Sequence, residues 1–131
     1  MRWPSAIEAL LGIAGADAEL VAALGGPRIY RRREIRQVEV PSVAYTIVTA
    51  GLEEVMEPVL TQWDIFAGSM NELVTIERRL RRLYHWAGWR EVGGVRMSSL
   101  YEASRDHPPP GPGRWHRSID FRHQPVRARG W

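Results

Sequence analysis

The chain has 131 residues, of which 44% are hydrophobic and 25% charged, a composition typical of one globular domain and not of a disordered or fibrous protein. It contains no cysteine, which excludes disulfides, thiolate zinc sites and cysteine nucleophiles. All 18 basic residues are arginine, and the formal net charge of +3 is too small to indicate nucleic-acid binding by itself. The sequence has no apolar run of the roughly 18 residues that a membrane-spanning helix needs and no secretory signal, so we expect a cytoplasmic location.

Two short helices are predicted at the start of the chain. The first begins at Pro4 or Ser5 and ends where Gly15 interrupts its apolar stripe, which consists of Ile7, Leu10, Leu11 and Ala14. Asp17 is expected to be the N-cap of a second helix over residues 18–24. The sequence Gly25-Gly26-Pro27 ends this second helix.

A basic stretch and two strands follow. Residues 28–36 are predicted to form an exposed loop that holds five arginines: Arg28, Arg31, Arg32, Arg33 and Arg36. The pattern becomes extended from Val38, and residues 43–48 are rich in β-branched side chains. Pro41 is better suited to a strand start or a bulge than to a sheet interior. Residues 59–67 predict a second strand with one buried side, because apolar residues alternate there with Gln62 and Asp64.

The longest helix is predicted next. Ser69 and Glu72 have the spacing of a capping box. Apolar residues then recur every three or four positions, at Leu73, Ile76, Leu80, Leu83 and Ala87. Trp86 and Trp89 are expected to close this helix.

The last third of the chain predicts a hairpin. Its strands cover residues 95–106 and 114–123, and the proline-rich residues 107–113 join them as a stiff loop. Trp115, Ile119 and Phe121 are expected to face the core, as is Trp63 in the earlier strand. The tail after Gln124 is expected to be mobile. Taken together, the elements predict one α+β domain over residues 1–131, with an antiparallel or mixed sheet of about four strands packed by two to three helices.

No pattern in the sequence indicates catalysis. Phosphate-binding glycine motifs are absent, and Gly93-Gly94 is interpreted as a turn. His116, Ser118 and Asp120 share one face of the last strand, but positions two apart on a strand are separated by roughly 6.6 Å. This distance is too long for the hydrogen bonds of a nucleophile and its base, so we expect no enzyme.

No metal site is expected either. His116 and Asp120 are roughly 13 Å apart along the strand, which is too far for two ligands of one ion. His107, Asp106 and His85 could meet only through the fold, and their spacing matches no known metal motif. We therefore expect no metal and no cofactor.

Two arginine clusters have competing interpretations. The four arginines of residues 78–82 lie away from the apolar stripe of the long helix, and Glu77 can pair with Arg81 four residues later, which favours a solvated face over a binding surface. Three adjacent guanidiniums at Arg31, Arg32 and Arg33 repel one another unless anions receive them. Contact with a partner and a plain solvated loop are equally supported for this run.

Three segments, taken in order, carry a resemblance. The first comprises Ala-Leu-Leu at 9–11, Ala-Asp-Ala-Glu-Leu at 16–20, Gly-Pro-Arg-Ile-Tyr at 26–30 and Pro-Ser-Val-Ala-Tyr at 41–45; the second is Gln-Trp-Asp-Ile-Phe at 62–66; the third is Gly-Arg-Trp-His-Arg-Ser-Ile-Asp-Phe-Arg at 113–122. Together they resemble the tail-terminator, or tail-completion, family of long non-contractile phage tails. The likeness spans residues 6–122, and the sequence departs from it in the Arg31–Arg33 run and in the proline loop at 108–112.

The resemblance implies a structural virion protein. It implies a homohexameric ring that caps the tail tube and stops its polymerisation, contacts the major tail-tube protein on one face and the head-closure or connector protein on the other, and lets DNA pass through its lumen. The location implied is the head–tail junction of the virion, after assembly in the host cytoplasm. Such rings need heterologous contacts between subunits. The candidate subunit, partner or lumen contacts are Arg31, Arg32, Arg33, Pro108, Pro109, Pro110, Arg127, Arg129 and Trp131.

Two other functions remain open. A small basic nucleic-acid-binding module would use Arg31–Arg33 and the basic helix face, and its affinity would depend steeply on salt. Another head–tail connector, such as a head-closure protein or the related tail-tube subunit, is the second alternative, and the short β content weighs against a tube subunit.

Overall fold

A computed structural model describes residues 2–34, 39–49 and 58–126. Its elements in chain order are α1 (Arg2–Ala16), α2 (Ala18–Leu24), β1 (Ile29–Arg31), a 3₁₀ turn (Arg32–Glu34), β2 (Ser42–Thr49), β3 (Val59–Ala67), α3 (Met70–Tyr84), β4 (Trp89–Val92), β5 (Val95–His107) and β6 (Trp115–Pro125). The mixed α+β class is confirmed. No helix among these residues is long and apolar enough to cross a membrane.

The first helix differs from the prediction at both ends, since it begins at Arg2 and not at Pro4 or Ser5. α1 continues through Gly15 to Ala16, because Gly15 is exposed and costs only about 1 kcal/mol of helix propensity, while the buried side chains of Leu10 and Ala14 hold the helix on the core. The N-cap is confirmed, since the Asp17 carboxylate accepts a hydrogen bond from the Leu20 amide at 2.9 Å.

The sheet has six strands in the order β1-β2-β3-β6-β5-β4, and the prediction of about four strands was wrong. The two additional strands are the edges. β1 pairs parallel with β2, so residues 29–31 are not the exposed loop that was predicted; backbone pairing and the partial burial of Ile29 outweigh the basic composition. Every other pairing is antiparallel.

The second edge strand, β4, lies where the end of the long helix was predicted. α3 ends at Tyr84, and His85 is already extended. Ala87 and Trp89 therefore lie outside the helix, and Trp89 begins β4. Gly93 and Gly94 turn β4 into β5 with positive φ values of 58° and 80°, as a two-residue hairpin requires, which confirms the turn. Local helical periodicity had extended the predicted helix into this hairpin.

The core lies between the helices and one face of the sheet. Trp63, Tyr84 and Phe121 are fully buried there, and the Tyr84 hydroxyl donates to the Leu10 carbonyl at 2.8 Å, which joins α3 to α1. The prediction for Trp63 is confirmed. Trp115, also predicted to face the core, is 41% exposed because it stands at the end of β6, opposite the last residue of β3.

The end of β6 extends beyond the predicted strand. Gln124 and Pro125 pair with β5, and the Val126 amide donates to the Arg96 carbonyl at 2.9 Å. Strand β6 therefore continues to Pro125, one residue past Gln124. Residues 127–131 lie outside the described part of the chain.

Candidate functional site on the open face of the sheet

One face of the sheet is turned away from α1, α2 and α3, and we call it the open face. Side chains alternate along β3 and β6, so the neighbours of the core residues Trp63 and Ile119 point to this face. The strand register places Asp64 opposite Ser118 and His107 opposite His116. The open face therefore carries a continuous set of polar residues: Gln62, Asp64, Arg105, His107, His116, Ser118 and Asp120.

Asp64 is the centre of this set. Asp64 is only 3% exposed, so β3 is buried on both sides at this position. The sequence had predicted one buried side. Oδ1 accepts a hydrogen bond from the Ser118 hydroxyl at 2.7 Å and lies 2.7 Å from Nε2 of His116. Burial raises the pKa of Asp64, but the hydrogen bonds from His116 and Ser118 outweigh it and lower the pKa below its ordinary value. Asp64 is therefore a carboxylate at neutral pH.

Two histidines complete the cluster. The rings of His107 and His116 are stacked, with centroids 4.2 Å apart and planes at 21°, and His116 also stacks on Phe66 at 4.4 Å. Nε2 of His107 lies 2.5 Å from the Ser118 hydroxyl. Because Ser118 gives its single hydrogen to Asp64, His107 must donate to Ser118, and His116 must donate to the carboxylate. The Nε2 atom of His107 thus points to the Ser118 hydroxyl, and that of His116 points to Asp64 Oδ1. These two oxygens are 2.7 Å apart.

These groups form a possible set of metal ligands. One nitrogen from each of His107 and His116 and one oxygen of Asp64 lie within 4.8 Å of one another. Two imidazoles and a carboxylate are donors that zinc and related divalent ions accept. We call these three residues the His–His–Asp cluster.

Both histidines are metal-ligand candidates in the sequence, but Asp64 is not among their predicted partners. The estimated separation of His116 and Asp120 applies to one strand, whereas the cluster forms across three strands. Asp120 instead accepts from Arg105 at 2.6 Å. The signal that could have found the cluster is hairpin register, because His107 and His116 become partners when the proline-rich residues between them, 108–115, close the hairpin of β5 and β6.

The other residues considered as metal ligands lie elsewhere. Nδ1 of His85 accepts a hydrogen bond from the Tyr101 amide at 3.0 Å. Asp106 pairs with Arg117 at 2.6 Å, and that arginine also reaches Glu77 of α3 at 2.6 Å. These groups hold the hairpin to α3 and do not join the His–His–Asp cluster.

The Arg31–Arg33 run is divided between the two faces of the sheet. Arg31 donates to the Tyr45 hydroxyl at 3.2 Å and pairs with Glu8 of α1 at 3.1 Å. The guanidinium of Arg32 lies 5.7 Å from the centroid of the Phe66 ring, and its Nε lies 4.0 Å from Asp64. The run borders a shallow groove of about 190 Å³, which is smaller than the roughly 300 Å³ of the smallest usual ligand pockets.

Two of the arginines of α3, Arg79 and Arg81, have structural partners as well. Arg79 binds both carboxylate oxygens of Asp17 at 2.7 Å and joins α3 to the start of α2, so it is not simply part of a solvated face. The predicted pair of Glu77 and Arg81 is confirmed at 3.6 Å. Hydrogen bonding by Arg79 lowers the pKa of Asp17, although burial opposes it.

The remaining predicted contact residues fall into two groups. Pro108, Pro109 and Pro110 are exposed at the end of the β5–β6 hairpin, directly beside His107. Arg127, Arg129 and Trp131 lie outside the described residues. The structure therefore brings the proline loop near the His–His–Asp cluster, while Arg32 approaches the same cluster from the other side.

A second polar network, on the helix-covered face, is built around His123. Its Nδ1 donates to Ser99 at 2.9 Å, and Ser99 donates to the Tyr84 carbonyl. Its Nε2 accepts from the Thr61 hydroxyl at 2.7 Å. Burial lowers the pKa of His123 to about 3, so the imidazole is neutral with a fixed tautomer.

Comparisons with known proteins show a similarity of fold. No family model matches the chain, and no curated protein matches it. Among solved structures, a chain from the virion of a native gene transfer agent particle is similar, with a TM-score of 0.65, 12% identity, and coverage of 90% of this chain and 92% of that chain. At this identity, the likeness shows that the two chains share a fold.

Proposed function

We propose that the protein is a structural virion subunit, and more specifically a tail terminator that assembles into a ring. The observation that carries the proposal is the fold likeness to a chain of a gene transfer agent virion, because it extends over nearly the whole of both chains. A fold alone hosts many functions. The proposal therefore also rests on the resemblance of residues 6–122 to the tail-terminator family, which points in the same direction.

The surface of the protein suits assembly. Trp89 and Leu100 are 51% and 43% exposed, and the strand register puts both on the open face. Exposed tryptophan is a frequent anchor of protein interfaces, and Leu100 adds apolar surface on the same face. In this proposal the open face of one subunit contacts a different surface of the next, which is the heterologous contact that closes a ring.

Nucleic-acid binding has less support, because many arginines already have anionic partners. Eight of the described arginines lie within 4.0 Å of a carboxylate: Arg28, Arg31, Arg32, Arg79, Arg81, Arg105, Arg117 and Arg122. Phosphates would have to compete with these intramolecular pairs. DNA in the proposed role passes through the lumen without being held.

The proposed role requires binding and no catalysis. A homohexameric ring would contact the last ring of tail-tube protein on one side, stop tube growth, and present its other side to the head-closure or connector protein. The protein would thus be located at the head–tail junction of the virion. The same fold and surfaces would serve a related connector protein, and the partner bound distinguishes the two roles.

The test is size-exclusion chromatography with light scattering over a range of concentrations, followed by negative-stain images of each peak. We expect closed rings of about six copies that resist nuclease treatment. A monomer at every concentration would contradict a ring-forming subunit. Fluorescence anisotropy with duplex DNA is the companion measurement, and tight, steeply salt-dependent binding would favour the nucleic-acid-binding module instead.

A further inference from the structure

Beyond the ring-forming role, we propose that Asp64, His107 and His116 bind a divalent transition-metal ion of the zinc, cobalt or nickel type. The three donors come from β3, β5 and β6, and one ligand atom of each lies within 4.8 Å of the others. A donor set of two imidazoles and one carboxylate excludes Mg²⁺ and Ca²⁺ as preferred ions, because these favour oxygen ligands.

The existing geometry is close to that of a bound site. In a tetrahedral zinc site with bonds of about 2.1 Å, neighbouring ligand atoms are about 3.4 Å apart. His116 Nε2 and Asp64 Oδ1 are now 2.7 Å apart through a hydrogen bond, and an ion inserted between them would displace that proton. The three ligand atoms now lie within 4.8 Å of one another, so the His107 and His116 rings would have to rotate to bring them to ligand distances.

The surroundings prepare Asp64 to be a ligand. Its Oδ2 atom faces Gln62 at 3.4 Å and Arg32 at 4.0 Å, so these residues orient the carboxylate and leave Oδ1 directed toward His116 and Ser118. Supporting contacts of this kind fix the position of metal ligands.

The two histidines of the cluster are partly exposed, and all three residues are rigidly held. His107 and His116 are half-buried next to the exposed proline loop, so an ion can enter from the open face. All three ligands stand on paired strands, which position side chains more accurately than loops do. Three protein ligands leave one coordination position for water or for the Ser118 hydroxyl, whose oxygen already contacts Asp64.

The experiment is titration of the full-length, chelator-treated protein with CoCl₂, followed by visible absorption, and with ZnCl₂, followed by calorimetry. The variants are His107→Gln and His116→Gln, and His85→Gln is the matched control because its ring contacts the Tyr101 amide and not the cluster. We expect one equivalent of Co²⁺ to bind with tetrahedral or five-coordinate bands. Each cluster variant should weaken binding at least about tenfold, and the control should not change it.

Two results would overturn the metal site: no saturable binding of Co²⁺ or Zn²⁺, or equal affinity in His107→Gln and the unmodified protein. Imidazole NMR of the unmodified protein gives a measurement that does not depend on any variant folding. Addition of ZnCl₂ should shift the Nε2 signals of His107 and His116 and leave those of His85 and His123 in place. Shifts confined to His85 would also contradict the assignment.

Discussion

The two faces of one sheet use histidine in opposite ways. His123 lies on the helix-covered face, fully buried, and its two nitrogens are fixed by Thr61 and Ser99. His107 and His116 lie on the open face, half-buried and stacked on each other. Nε2 of His107 is directed at Ser118, and Nε2 of His116 is directed at Asp64. Burial by the helices, and not residue type, therefore separates a structural histidine from a candidate metal ligand.

The largest expected effect of a substitution is the loss of the buried histidine. His123→Ala leaves a cavity and removes the partner of two buried hydroxyl groups, so it should lower the free energy of unfolding by about 3 kcal/mol. His107→Ala removes one hydrogen bond at the sheet end and should cost about 1 kcal/mol. Urea unfolding in chelator measures both. Equal losses would remove the distinction between the two faces.

Acid should act through the same residue. The pKa of His123 is lowered to about 3 in the folded chain, whereas an unfolded chain takes up this proton near the ordinary value of 6.5. The unfolded state therefore binds more protons as pH falls below 6.5, and stability decreases by up to about 1.4 kcal/mol per pH unit until the pH approaches 3. In NMR titration the His123 ring should stay neutral at pH 5. A midpoint near 6.5 in the folded protein would contradict burial as the cause.

The smallest effect is expected from an ion pair on the open face. Arg105 and Asp120 are 2.6 Å apart, but nearly half of the arginine side chain is exposed to water. Asp120→Asn should therefore change the free energy of unfolding by less than about 1 kcal/mol, and added salt should reduce the difference. Thermal unfolding at low and high salt provides the comparison. A loss as large as that of His123→Ala would mean that the open face contributes to folding as much as the helix-covered face does.

Local signals in the sequence were sufficient for the interior of the fold. The Asp17 and Ser69 caps are confirmed, because each depends on hydrogen bonds within a few residues. The bounds of β3 are also as predicted, since a strand between two others follows the alternation of its apolar residues. Elements that depend on hydrogen bonds within a few residues, or on the apolar alternation of their own residues, could thus be predicted.

Features that depend on pairing could not be predicted in this way. β1 has three residues and an arginine-rich sequence, and only its contact with β2 makes it a strand. Trp115 follows the apolar alternation of β6 but stands beyond the area that the helices cover, so it is 41% exposed. The His–His–Asp cluster needs three strands in register. The alternation in β3 assigned Asp64 to a solvated side, although tertiary contacts bury it.

The most direct test of the proposed division between the faces compares ring assembly in two variants. Trp89→Ala combined with Leu100→Ala removes exposed apolar side chains from the open face, and Met70→Ala removes one, 38% exposed, from the start of α3 as the control. Light scattering should show that the double variant loses rings while its free energy of unfolding stays within about 0.5 kcal/mol of the unmodified protein, and that the control still forms rings. Rings that persist in the double variant, or that are lost in the Met70 variant alone, would contradict the open face as the assembly surface.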